Sequence, residues 1–87
     1  MSIKESIDKY KKYKKRNFPT LNERAYIRRF ERTFAKMNCF DRDFFYKVYL
    51  REEEKDWWKK YYTRYTFNRM KSNVSRKFIM LFERYET

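Results

Sequence analysis

The sequence predicts an all-α protein, a compact bundle of about five helices. The 87 residues include no glycine and a single proline, so the residues that tight β-hairpins and glycine-rich nucleotide loops require are missing. Apolar residues recur at spacings of three and four in successive segments, the mark of amphipathic helices. Aromatic residues make up 23% of the chain while Val, Leu and Ile are scarce, so the core must be built from Phe, Tyr and Trp, each of which buries a large area. A chain of this length forms one small domain, residues 1–87. It has little room for both a core and a catalytic cavity, and no enzyme is expected.

Ser2 and Glu5 make a Ser-x-x-Glu capping box that starts a first helix. Ile3, Ile7 and Tyr10 mark its inner face, and residues 1–17 form a basic N-terminal helix ending in KYKKYKKR, residues 9–16. That run fits a phosphate-contacting arm and equally a solvated helix end, where cations favour the C-terminal dipole. Phe18-Pro19 breaks the helix, because proline disfavours helical geometry in the residue before it. Thr20 and Glu23 then repeat the capping box and open a second helix, roughly Leu21 to Met37. Tyr26, Ile27, Phe30 and Phe34 are its inner residues, Arg24, Arg28 and Arg32 follow another face, and Arg28 with Glu31 makes an expected surface pair.

Residues 38–40 read as a connector, and Asp41 as the N-cap of a third, central helix through Phe44, Phe45, Val48, Tyr49 and Leu50. REEEKD, residues 51–56, is the only acidic run. Consecutive carboxylates on a helix do not converge on one ion, so the run marks a turn and an acidic helix start rather than a metal site. Trp57 and Trp58 open a fourth helix that ends near Tyr61 or Tyr62, and Thr63 caps a fifth. The inner stripe of the fifth is Phe67, Met70, Val74, Phe78, Leu81 and Tyr85; Trp57 and Phe78 are expected in the core. Two helices joined by only a few residues make residues 40–85 a helix-turn-helix-like region.

The composition narrows the partner. With 24 Lys and Arg against 12 Asp and Glu, the formal charge is +12, which suits a polyanion or an acidic protein surface. The same rings that build the core could stack on exposed bases, which keeps single-stranded nucleic acid in view. There is no histidine, and one cysteine, Cys39, cannot form an internal disulfide. A transition-metal site or histidine-based catalysis is not expected, no cofactor is implied, and the lone thiol suits a reducing compartment. No apolar run approaches the roughly 20 residues of a membrane span, so no membrane contact is expected.

Opposite the stripe of the fifth helix lie Tyr65, Arg69, Ser72 and Arg76, with Asn68 toward the flank. Guanidinium, amide and hydroxyl groups in that mixture bond base edges and phosphates, although a basic outer face is also what a solvated helix shows. The stretches FFYKVYL, KDWW, TRYTFNRMKSNVSRKF and LFERY, from about Phe40 to Tyr85, resemble the C-terminal region of the ArpU and RinA type phage late-transcription regulators, whose helix-turn-helix is similar to region 4 of sigma factors. The family's turn carries small residues where this chain has KKYYTRY. The resemblance implies a cytoplasmic, phage or prophage type regulator in a bacterial host cell that binds promoter DNA beside RNA polymerase, or a relative that kept the fold and binds another protein. The expected function is therefore double-stranded DNA binding for transcription regulation. Arg64, Tyr65, Asn68, Arg69, Ser72 and Arg76 would meet bases and phosphates, and Lys59, Lys60 and Lys71 would anchor the backbone. The alternative is a small interaction protein that binds and modulates a host or phage protein through a basic, aromatic surface. The oligomeric state is left open.

Overall fold

The computed structural model describes residues 2–51 and 55–84. Among them every regular element is helical: α1 (Ile3–Lys14), α2 (Leu21–Lys36), α3 (Cys39–Phe45), a π turn that continues it (Tyr46–Leu50), a 3-10 turn (Trp57–Lys60) and α4 (Arg64–Arg84). The described α-helices number four, not five. The expected fourth helix is a single 3-10 turn with no side-chain cap at Asp56. Its aromatic residues are middling helix formers, and one turn cannot offset the cost of nucleation. A helix-turn-helix is accordingly not shown in this region.

The helix starts follow local chemistry. Ser2 Oγ accepts the Glu5 N–H at 3.2 Å, which is the first half of the expected box. At Thr20 the box is complete: Thr20 Oγ1 accepts the Glu23 N–H at 3.1 Å and the Glu23 carboxylate accepts the Thr20 N–H at 2.9 Å. The cap of α3 is Asn38 rather than Asp41. Asn38 Oδ1 accepts the Asp41 N–H at 2.8 Å, which places Asp41 in the first turn, where a carboxylate also meets the favourable end of the helix dipole. Cys39 and Phe40, expected in a connector, belong to the helix. Thr63 Oγ1 accepts the Thr66 N–H at 3.2 Å and so caps α4 as expected. No described residue has a positive φ, which is how these turns close without glycine.

The helix α4, about 31 Å long at 1.5 Å per residue, is the spine. Near its N-terminus Phe67 meets Phe44 of α3 and both tryptophans of the 3-10 turn, while further along Phe78 meets Phe45 of α3 and Phe30 of α2, and Phe82 also meets Phe30. The core is phenylalanine: Phe30, Phe44, Phe45, Phe67, Phe78 and Phe82 are buried, joined by Ile7, Met37 and Val74. Phe45 stacks on Phe78 at 4.6 Å, Phe30 lies 4.8 Å from Phe78, and Tyr10 stacks on Phe30 at 4.0 Å. Phe82, absent from the expected stripe, replaces Leu81 as its fully buried member; Tyr85 lies outside the described residues. Trp57 is half-buried at the rim, edge-on to Phe44 and Phe67, rather than in the core.

Polar ties hold the helices in phase. Lys77 on α4 pairs with Asp41 on α3 at 3.1 Å. The Arg29 guanidinium donates twice to the Phe82 carbonyl, at 2.9 and 2.8 Å, and covers the Phe82 ring. The π turn, closed by the Arg51 N–H on the Tyr46 carbonyl, brings the Tyr49 hydroxyl within 2.6 Å of Ser75 Oγ.

Candidate nucleic-acid interface

Burial of Phe67, Val74, Phe78 and Phe82 sets the phase of α4 and turns the opposite side to solvent. There Tyr65, Asn68, Arg69, Ser72, Asn73 and Arg76 surround a shallow depression of about 430 Å³. All six side chains are exposed. Arg69 and Arg76 take part in no ion pair among the described residues, and residues 64–82 contain no carboxylate. The face offers guanidinium, amide and hydroxyl donors with nothing negative among them, a combination suited to acceptor-rich surfaces such as base edges and phosphates. Asn73 was not among the expected residues. Its place one step after Ser72 and four after Arg69 is the signal that marks it.

The other expected residues lie elsewhere. Arg64 is exposed at the first position of α4 but does not line the depression. Lys71 follows Arg69 by two residues, about 200° around the helix, and its ammonium lies 5.7 Å from the centre of the Tyr49 ring. Lys59 pairs with Asp56 at 3.4 Å and lies over Trp58. Lys60 borders a second depression, of about 490 Å³, with Lys47, Arg51, Lys55, Asp56, Trp57 and Tyr61. Lys71 borders a third, of about 560 Å³, that shares Lys47, Arg51, Lys55 and Trp57 with it. Lys47 was hidden in the sequence because it falls within an apolar helix, and Arg51 and Lys55 because they flank the glutamates.

The basic run of residues 9–16 is partly engaged with α2, with Lys14 and Arg16 still exposed. Lys14 donates to Glu31 at 2.8 Å, as does the Tyr10 hydroxyl at 2.8 Å, and Arg16 pairs with Glu23. Glu31 therefore faces α1 instead of forming the expected pair with Arg28. The Lys14 ammonium holds the Glu31 carboxyl below the usual range. The Thr20 N–H, aided by Arg16, does the same for Glu23. Tyr10 is pushed in the opposite direction by burial, and then by its bond to Glu31. Arg24, Arg28 and Arg32 are exposed on α2, so positive charge is not confined to α4.

Among the described residues no group of His, Cys, Asp and Glu is placed to hold a metal ion, and no helix is long and apolar enough to cross a membrane. Comparison with protein-family models, with curated proteins and with solved structures gives no match.

Proposed function

We propose that the chain binds double-stranded DNA through the outer face of α4 and acts as a small transcriptional regulator of phage or prophage type, as its resemblance to the ArpU and RinA type regulators implies. The observation that carries this reading is the carboxylate-free face of Tyr65, Asn68, Arg69, Ser72, Asn73 and Arg76 around one depression. In this reading the 3-10 turn takes the place of the first helix of a helix-turn-helix, and Thr63 starts the reading helix beside it. Arg64 then lies near the duplex backbone, and RNA polymerase is a candidate neighbour on the same promoter.

The test is a titration of labelled duplex DNA by fluorescence anisotropy at several salt concentrations. Affinity is expected to fall steeply with salt, because each phosphate neutralised releases condensed counterions. Arg69→Ala is expected to weaken specific binding by about 1–3 kcal/mol while leaving stability within about 0.5 kcal/mol, as surface changes do. No binding at low salt, or an unaltered affinity in Arg69→Ala, overturns the assignment to this face.

A second reading rests on a different surface. Phe18 is 90% exposed and Leu21 80% exposed, three residues apart in the chain where α1 gives way to α2, and uncovered apolar side chains suit a protein surface better than a phosphate backbone. If the chain is an interaction protein, a host protein is retained on it after nuclease treatment, and Phe18→Ser with Leu21→Ser releases that protein while Arg69→Ala does not.

A further inference from the structure

The depressions bordered by Lys60 and by Lys71 share four residues, Lys47, Arg51, Lys55 and Trp57, and so form one continuous surface. Lys71 and Phe67 place it on the flank of α4 turned away from Arg69. Six cations border it: Lys11, Lys47, Arg51, Lys55, Lys60 and Lys71. The one described carboxylate on it, Asp56, is paired with Lys59, itself outside the two depressions. The three glutamates between Arg51 and Lys55 lie outside the described residues. Among the described residues Arg51, Lys55 and Lys60 enter no ion pair. Arg51 is half-buried, with its Nε buried and without a hydrogen-bond partner among the described residues.

Rings alternate with these charges. Tyr61 is 73% exposed. Trp57 is half-buried with the Lys47 ammonium 5.7 Å from its ring centre. Trp58 is stacked on Phe67 at 4.5 Å, which fixes its plane. Cations interleaved with aromatic faces suit a ligand that brings phosphates and flat, uncovered rings together. A duplex keeps its base faces stacked, and a peptide that is acidic but not aromatic brings no flat ring to lay on these faces.

We propose that this surface is a separate site for an unpaired stretch of nucleic acid, with phosphates held by Arg51, Lys55 and Lys60 and a base laid against Tyr61 or the open part of Trp57. The site does not depend on the duplex reading of α4. It extends that reading to a protein with duplex and single-strand contacts on opposite flanks of one helix.

Both tryptophans of the chain, Trp57 and Trp58, border this surface, so intrinsic fluorescence reports on it directly. The full chain is titrated with a short oligothymidylate of about 12 nucleotides, the length an aromatic-lined basic groove accommodates. Saturable quenching is expected. Lys60→Glu, which repels a phosphate, and Tyr61→Ala, which removes a stacked base, are both at exposed positions and should each weaken it about tenfold without shifting the thermal melt. Arg69→Ala should leave it within about twofold, because that side chain lies on the far side of α4. The proposal is overturned if oligothymidylate does not quench, if Lys60→Glu and Tyr61→Ala bind like the parent, or if dextran sulfate or oligoglutamate quenches equally well, which would make the surface a polyanion patch or an acidic-protein dock. Loss of duplex binding in Arg69→Ala with oligothymidylate quenching retained keeps this site and the α4 site distinct; failure of either measurement leaves the other standing.

Discussion

Phe78 and Trp57 show how differently two large aromatic residues contribute when one closes the core and the other covers its edge. The Phe78 ring is fully buried and touches Phe30, Phe45 and Phe82 at centroid distances of 4.8, 4.6 and 5.7 Å. Removing it leaves a cavity among rings that cannot collapse independently, and Phe78→Ala is expected to lower stability by about 3–5 kcal/mol. Trp57→Ala is expected to cost clearly less, because its partly exposed ring already faces solvent on one side. Urea melts of the two variants check the order, and equal losses would mean that Trp57 carries as much of the core as Phe78. At the same scale the exposed Arg69 side chain makes no ion pair among the described residues, which is why its removal is expected to separate binding from folding.

At the scale of elements, the caps hold the functional faces in position. Asn38 starts α3 by accepting the Asp41 N–H, and its Nδ2 donates to the Asp41 carboxylate at 2.9 Å. That carboxylate in turn receives Lys77 from α4. Asn38→Ala therefore removes a cap and loosens the side chain that ties two helices, and it is expected to lower stability by about 1 kcal/mol. Thr63→Ala is expected to cost a similar amount and, in addition, to fray the end of α4 that carries Arg64 and Tyr65. Hydrogen exchange of the amides of residues 64–67 checks this: faster exchange confined to that turn is expected, whereas uniform acceleration would mean that Thr63 supports the whole helix.

For the molecule as a whole, the aromatic content sets a response to alkali. Burial raises the ionisation of Tyr10, Tyr26 and Tyr49 above the ordinary value of 10.0, with Glu31 adding to the effect at Tyr10. In the unfolded chain these phenols ionise near pH 10, while in the folded chain they hold their protons. Folding is therefore fully supported below about pH 10 and loses stability as pH rises above it. Thermal melts from pH 8 to 11.5 are expected to fall only in the upper part of that range. Tyr10→Phe should flatten the fall, and an unchanged slope would remove Tyr10 from the cause.

What the sequence by itself determined about this protein is its helical class, most helix starts and the apolar stripe of α4. Thr20, Thr63 and the spacing of Phe67, Val74 and Phe78 act over a few residues along the chain, so their effect is legible in one dimension. The same holds for Tyr65, Asn68, Arg69, Ser72 and Arg76, which one helical period brings to one face. Only the tertiary structure decided that Trp57–Lys60 is a 3-10 turn, that Phe82 is buried in preference to Leu81, and that Lys14 and Arg16 are drawn toward α2. It also decided that Lys60 and Lys71 stand with Lys47, Arg51 and Lys55 on a surface apart from Arg69. Those outcomes depend on how the helices meet across the core, through contacts between residues far apart in the chain, and helical periodicity carries no information about them.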